Sequence, residues 1–436
     1  MNLSYAKNIA SNFITQIMIM GFSFITNLLI TRQLGPSGKG DLAYLTLIIS
    51  TISEYGHLGI TYSLPYFYKK SKSSTQDIFN TNILTIIAIS LIITMIIIGW
   101  KIGGNLNYNW LIIGIMIVTI IGSLFANLFT SYYVADEKIY MANNINLKNN
   151  FMKTVVLLIL VFTGWLNLVS YLGVQLIFIL ITIPLLFRNV RAYKLNLSSY
   201  DKKLLIEQLK FGGMIYLGNL FVFLNYKLDQ FLVRDMLGQV QLGIYSVSVT
   251  LAEMLFLIPS SVGTAITGRL YNISDDAHEQ RKITTALTVK YVFYVTLIFS
   301  IGAILFSPLI IWLYGEEYAS SQLPTQILFV GIAFASIGKV SGGYFQSIGK
   351  PYIHTIIAFS VFMINFAFNL ILIPKWGING AAIASTISYT VYGFIYLGMY
   401  IFKEKISAKH LLGISEIDKG IKDRVVKSIK ARLAKR

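Results

Sequence analysis

Apolar residues fill this chain in runs of about twenty or more, separated by short polar stretches. The hydrocarbon core of a bilayer is about 30 Å thick, and about twenty helical residues cross it. The pattern predicts twelve spans, at 8–33, 40–69, 78–100, 109–135, 144–165, 168–190, 206–236, 239–270, 282–313, 320–347, 351–374 and 377–402. Several runs are longer than the bilayer requires, so their helices tilt or project beyond it. Short linkers make successive helices antiparallel neighbours. No small-residue cleavage site follows the first run, which therefore reads as an uncleaved helix.

Polar positions inside the spans form stripes. Span 1 carries Asn8, Asn12, Gln16, Ser23, Asn27 and Thr31, mostly four apart. Span 2 carries Thr46, Ser50, Ser53, His57 and Thr61. Span 7 carries Tyr216, Asn219, Lys227, Gln230 and Arg234, and span 8 carries Ser246, Thr250, Glu253, Ser260, Thr264 and Thr267. In lipid such a stripe should face protein or water. Four helices with one polar face each predict a hydrated cavity between them. For the Ser and Thr positions alone, packing through small polar residues is an equal alternative.

The chain also repeats itself. Thr31–Leu42 reads TRQLGPSGKGDL, and Val233–Ile244 reads VRDMLGQVQLGI. Gly35 and Gly40 correspond to Gly238 and Gly243 at an offset of 203 residues. Glu137–Tyr140 resembles Gly349–Tyr352 at an offset of 212. The prediction is an all-α polytopic membrane protein built as two parallel six-helix repeats related by an axis along the membrane normal. Its parts are an N-terminal bundle at 1–193, a cytoplasmic linker at 194–205, a C-terminal bundle at 206–402 and a tail at 403–436. In the tail Ile414, Ile417, Ile421, Val425, Ile429 and Leu433 recur at helical spacing among lysines. This predicts a basic amphipathic helix on the anionic inner leaflet. The plainer alternative is a frayed positive tail that only sets topology.

Composition sharpens the class. The 436 residues are 55% hydrophobic and 13% charged, and none is cysteine. A soluble domain has about twice that charged fraction. No disulfide frame or thiolate metal site is possible, and the four histidines show no ligand spacing. No phosphate-cradling glycine loop is present, so no nucleotide hydrolysis is built in. The net charge is +17, and its placement is uneven: 27 Lys and Arg fall on one set of loops and ends, and 5 on the other. The positive-inside rule puts both termini in the cytoplasm. All five tryptophans, at 100, 110, 165, 312 and 376, fall at the outer ends, where an aromatic belt is expected.

Seven ionisable residues lie within spans: Glu54, Lys153, Lys227, Asp229, Glu253, Lys290 and Lys339. Each costs roughly 3 kcal/mol at a helix centre on insertion scales, which calls for a compensating role. Lys290 and Lys339 lie near the cytoplasmic end and could instead snorkel to headgroups. Glu54, Glu253, Asp229 and His57 are the titratable groups at depth other than lysine, and so the candidates for coupling to an ion, H+ or Na+, with Glu54 or Glu253 expected to change protonation or bind a cation as the halves rock. For the two glutamates, a structural ion pair with Lys153 or Lys227 is the alternative.

The Leu-Gly-x-x-x-x-Gly turn at Gly35–Gly40, the Glu54–Gly59 segment and the Gly349-Lys350-Pro351 turn carry a resemblance. Over about 1–402 the chain resembles the polysaccharide-exporting branch of the multidrug/oligosaccharidyl-lipid/polysaccharide exporter superfamily. It looks most like the O-antigen (Wzx-type) flippases. The resemblance implies a V-shaped pair of six-helix bundles, alternating access, and a place in the bacterial inner membrane. It implies transfer of an undecaprenyl-diphosphate-linked oligosaccharide, an O-antigen or capsule unit, from inner to outer leaflet. Other glycan-assembly membrane proteins would be partners. Twelve spans set the chain apart from fourteen-span peptidoglycan-precursor flippases. A diphosphate substrate needs cations, so the expected relay is Arg269 with Lys290 or Lys339 at the intake, Lys227 and Lys153 within, and Arg32 and Arg234 near release. Within the same fold the alternative is a multidrug/cation antiporter. Outside it stand a membrane-embedded glycan polymerase or ligase, which the short outer loops disfavour, and a non-transporting scaffold.

Overall fold

The computed structural model describes residues 3–71, 73–136, 138–188, 190, 194, 196, 199–271, 273, 277–411 and 413, with backbone only for 3–20, 214, 268, 271, 351, 408 and 409. The elements are α1 (Leu3–Tyr55), α2 (Ile60–Lys70), α3 (Thr75–Ile102), α4 (Trp110–Ala135), α5 (Ile139–Phe162), α6 (Leu168–Phe187), α7 (Lys202–Leu237), α8 (Gln239–Tyr271), α9 (His278–Tyr314), α10 (Gln322–Ser347), α11 (Pro351–Gly398) and α12 (Ala408–Leu411). A 3₁₀ turn (Glu316–Ser321) precedes α10, and a π turn (Met399–Lys403) ends α11. Polar caps start several helices. Ser74, Asn109 and Asp201 each accept a backbone N–H of the first turn, and Asn167 forms a reciprocal capping box with Ser170.

Two of these helices are hairpins. Ser23 and Ser50 line one cavity, although a straight helix would hold them ~40 Å apart. The reversal is at Gly35, whose φ of 64° and ψ of 176° no helix contains. In α11, Asn365 Nδ2 donates to Ser388 Oγ at 3.0 Å, and the reversal is at Gly377, φ 57°. Gly238, between α7 and α8, has φ 87° and ψ −178°, close to the conformation of Gly35. Positive φ favours glycine because it has no Cβ to clash. The two copies of the sequence motif therefore make the same turn. Glycines with positive φ also sit in the α3–α4, α5–α6 and α9–α10 connections, at Gly104, Gly164 and Gly315. With Gly35, Gly238 and Gly377 they mark one face of the bundle, called here the glycine-turn face. Trp110, Trp165, Trp312 and Trp376 are exposed beside these turns.

The chain is an all-helical, multi-pass membrane protein. Among the described residues eight helices are long and apolar enough to cross a membrane. The twelve expected spans differ from these eight at α1, α7 and α11. The hairpin α11 is two helices joined at Gly377, each able to serve as a span, and counts once among the eight. Most of the first arm of α1, with backbone only for 3–20, falls outside that count, while the second arm of α1 and helix α7 carry polar residues that lower their hydropathy, in α7 Asn219, Asn225, Lys227, Asp229, Gln230 and Arg234. The expected continuous span at 40–69 is also corrected. It breaks at residues 56–59, where Leu58 and Gly59 take positive φ. His57 Nδ1 accepts the Gly59 N–H at 3.0 Å, and its Nε2 meets Thr61 Oγ1 at 2.9 Å. The described apolar residues form separate cores, one mainly among α1–α4 and α6, a smaller one where α1 meets α5 and α6, two in the second half, and a minor cluster of Phe67, Ile78 and Leu204. Outward faces of α3 and α9 remain apolar, with Leu91, Met95, Ile298 and Leu305 over 60% exposed, as a lipid-facing surface requires.

The linker is pinned to α3: Asn80 Oδ1 accepts from Asn196 N and Thr81 Oγ1 from Asp201 N, both at 3.0 Å. After α11 the chain docks back. Tyr344 donates to Glu404 at 2.7 Å, and Lys290 Nζ donates to the Gly413 carbonyl at 3.0 Å. The expected amphipathic stripe of the tail, from Ile414 on, lies outside the described residues.

Candidate functional site

The two halves enclose a cavity of about 290 Å³. Its wall comes from both arms of α1, from α7 and α8, and from α5 and α6. The four polar stripes of the sequence thus converge: Asn27 from the first arm, Thr46 and Ser50 from the second, Lys227 and Gln230 from α7, Ser246, Thr250 and Glu253 from α8. Its charged lining residues are Lys39, Lys153, Lys227 and Glu253. Lys227 Nζ forms an ion pair with Glu253 Oε1, the lysine side chain 22% and the glutamate 50% exposed. Lys39 is 5% exposed, and neither it nor Lys153 has an acidic partner among the described residues. Three ammonium groups against one carboxylate leave two formal positive charges in a partly dehydrated space. An unpaired charge there is costly, so the cavity favours water or an anion in contact with them.

The glycine-turn face closes over this cavity by backbone contact between the repeats. A Cβ on Gly40 would lie 2.0 Å from the Gln239 carbonyl oxygen, and one on Gly243 would lie 1.9 Å from that of Pro36. Each half's second motif glycine thus packs into the other half's turn. Gln239 Nε2 donates to Ser37 O at 3.0 Å and to Asp41, and Tyr108 donates to Asp41 Oδ1 at 2.8 Å. Burial and that bond to a carboxylate push the Tyr108 hydroxyl above its ordinary pKa, so it stays a donor. Tyr318 adds a bond to the Thr31 carbonyl at 3.1 Å. Toward the opposite face, α2 meets α7 through Gly59 against Gly212 and the stacked rings of Tyr66 and Phe211. On α8, Leu257, Thr264 and Arg269 there are exposed.

The other expected residues are dispersed. Arg32 is exposed at the glycine-turn face, and Arg234 lies over the Tyr44 ring, 5.3 Å from its centroid. Lys339 sits between the rings of Tyr226 and Phe256, at 5.6 and 5.3 Å, and lines a second cavity of about 220 Å³ that Lys227 and Glu253 also border. Lys290 is buried against the start of the tail and lines none of these cavities. Of the coupling candidates, Glu54 is exposed and His57 is engaged in the break after α1. Asp229 is 1% exposed and accepts from Tyr245 at 2.6 Å, Ser385 at 2.9 Å and the Gln230 N–H at 2.8 Å. Asn365 and Asn369, linked at 2.9 Å, continue this buried network through Ser385 and Ser388.

A family model described as polysaccharide biosynthesis protein matches residues 5–271, and one described as MatE matches 215–371. The chain belongs to the polysaccharide biosynthesis protein family. A Shigella flexneri protein named "Putative O-antigen transporter" is 27% identical over 180 residues, 41% of this chain. The match spans 42% of that relative, less than two thirds of its length. Among solved structures, the lipid II flippase MurJ in an inward closed conformation matches with a TM-score of 0.73 at 16% identity, covering 91% of this chain and 88% of that one. An inward-facing multidrug resistance MATE transporter of the MOP superfamily matches at 0.72 and 13% identity, covering 89% and 96%. These likenesses establish a MATE- and MurJ-like fold.

For this polysaccharide biosynthesis protein, two site residues escape sequence reasoning. Lys39 and Asp41 sit in the glycine-rich turn and read as loop charges. A signal for Lys39 exists: it lies seven residues before Thr46 and eleven before Ser50, on the face of the same stripe. Asp41 bonds across the halves, which local spacing does not reveal.

Proposed function

We propose that the chain moves an undecaprenyl-diphosphate-linked oligosaccharide, an O-antigen or capsule unit, from the inner to the outer leaflet. It does so by alternating access between two six-helix bundles that together cross the bacterial inner membrane twelve times. The observation that supports this most is the cavity with two excess positive charges. A diphosphate carries about two negative charges, and lysines in a hydrated cavity offset most of its desolvation cost. A cation antiporter would need surplus carboxylate there, and Glu253 is already paired. Flipping of a fluorescent polyprenyl-diphosphate-linked glycan by purified protein in liposomes tests the reading. Transport of a cationic dye with no glycolipid movement would overturn it.

In this reading the glycine-turn face is outer, and the closed seal there makes this the inward conformation. A cysteine at Glu316→Cys should react with an impermeant maleimide applied to whole cells, and one at Lys203→Cys should not. The native chain has no cysteine to interfere. The reverse pattern would invert the topology.

Asp229 is the coupling group we favour, a buried carboxylate ringed by hydroxyls and amides that suits a proton or a small cation. Asp229→Asn should abolish the dependence of flipping on the ion gradient, with the protein still inserted. Flipping that still tracks the gradient in Asp229→Asn would move the coupling role elsewhere. Glu54→Gln should leave that dependence intact.

A further inference from the structure

A third cavity, of about 290 Å³, lies in the first half between α4, α5, α6 and the second arm of α1, with Asn150 exposed at its edge. Its lining is unlike that of the central cavity. Nine uncharged hydrogen-bonding side chains surround it, five amides and four hydroxyls, and Lys153 is its one titratable residue. Helix α5 presents Asn146, Asn149, Asn150 and Lys153 at steps of three, four and seven, one face of a helix otherwise studded with exposed apolar residues such as Phe151 and Met152.

Packing explains part of this stripe. Asn149 Nδ2 donates to the Phe178 carbonyl at 2.9 Å, and Asn127 Nδ2 to that of Ser53 at 2.9 Å. The hydroxyls of Thr119, Ser123 and Thr182 donate to carbonyls of their own helices. Thr182 Oγ1 already accepts from Asn149 Nδ2, while the lone pairs of Thr119 and Ser123 and the amide oxygens of Asn127 and Asn149 remain as acceptors. Asn146 and Asn150 have no hydrogen-bond partner among the described residues. Such a surface both donates and accepts, without net preference for charge beyond Lys153. It matches a polyhydroxyl compound. It mismatches a lipid tail, which would strand the amides, and a diphosphate, which would outnumber the one cation. The volume stands at the lower edge of small-ligand sites, about 300–1,000 Å³, room for one sugar residue rather than a chain. Lys153 lines both this cavity and the central one.

We propose that the amide-lined cavity of the first half binds the sugar residue attached to the diphosphate, with Lys153 at the junction of the two. This rests on the reading of the central cavity as a lipid-diphosphate site. Specificity for the first sugar then lies in α5 and its neighbours, and the charged headgroup is held separately.

The test uses the full chain in nanodiscs and two probes, undecaprenyl diphosphate and the same lipid carrying one N-acetylhexosamine. Wild type should bind the sugar-bearing lipid about tenfold more tightly, the yield of a few good hydrogen bonds. The double variant Asn146→Ala, Asn150→Ala should lose that margin and keep its affinity for the bare lipid within twofold. A margin that survives in the double variant, or is absent in wild type that binds the bare lipid, overturns the proposal alone. Wild type that binds neither lipid overturns the diphosphate site as well. If the double variant fails to accumulate, Asn150→Cys supplies the readout. The sugar-bearing lipid should slow its maleimide labelling and the bare lipid should not; equal protection by both overturns the proposal.

Discussion

Lys227→Gln should lower glycan export at least tenfold while the protein still inserts and accumulates. A charge-assisted hydrogen bond to a phosphate contributes about 1.5–3 kcal/mol, which corresponds to roughly 10- to 150-fold in affinity. The loss should be specific to function. Glu253, the partner left behind, is half exposed and can be hydrated, so the fold does not inherit a buried unpaired charge. Lys227→Arg keeps the charge and should retain part of the activity. Glu253→Gln separates the two readings of the cavity. It frees Lys227 for an anion and should leave glycan export within a few-fold of wild type. A cation-extruding site would lose its carboxylate and fail. The measurement is surface glycan in a flippase-deficient strain, normalised to protein in the membrane. Normal export by Lys227→Gln would remove the centre of the anionic mechanism.

Gly243→Ala should open the glycine-turn face, and Gly40→Ala should do the same. The added methyl meets a backbone carbonyl at 1.9 or 2.0 Å, against ordinary contact at 3.4 Å or more. No side-chain rotation relieves a backbone clash. The two turns must part by more than 1 Å, and overpacking of this kind costs about 1–3 kcal/mol. That cost falls only on the closed arrangement. A bias of 1.4 kcal/mol shifts a two-state equilibrium tenfold, so the open population should rise by about that factor or more. A cysteine at Ser50→Cys, inside the cavity, reports the change as faster labelling from the glycine-turn side. Export should fall, because alternating access needs both closures. Unchanged labelling would mean that this contact is not the seal. The repeat supplies an internal control: both glycines should behave alike, since each meets the other half's turn.

The stripes at Asn27, Thr46, Ser50, Lys227, Gln230 and Glu253 were legible because helical periodicity is local. A residue's face follows from its number, and lipid makes polar faces conspicuous. The repeated turn was legible for a similar reason. A turn that needs positive φ needs glycine, so Gly35 and Gly238 leave a trace in the letters and then adopt matching angles. The break at residues 56–59 was not legible. It depends on His57 bonding the Gly59 N–H, and an apolar run of the right length conceals it.

The sequence by itself determined the class: a basic, cysteine-free helical membrane protein with a repeated turn and four polar helix faces. These follow from solvation and periodicity, which act on each residue through its near neighbours. Only the tertiary structure decided which charges meet. Lys227 is nearer in sequence to Asp229, yet it pairs with Glu253, 26 residues away. Asp229, two positions on and therefore on another face, is buried against Tyr245 and Ser385. Sequence placed Lys290 near the cytoplasmic end and Lys153 deeper, but did not show that the first bonds the start of the tail while the second stands between two cavities. Partner choice among charges is a property of distance and shared burial, and helix packing sets both.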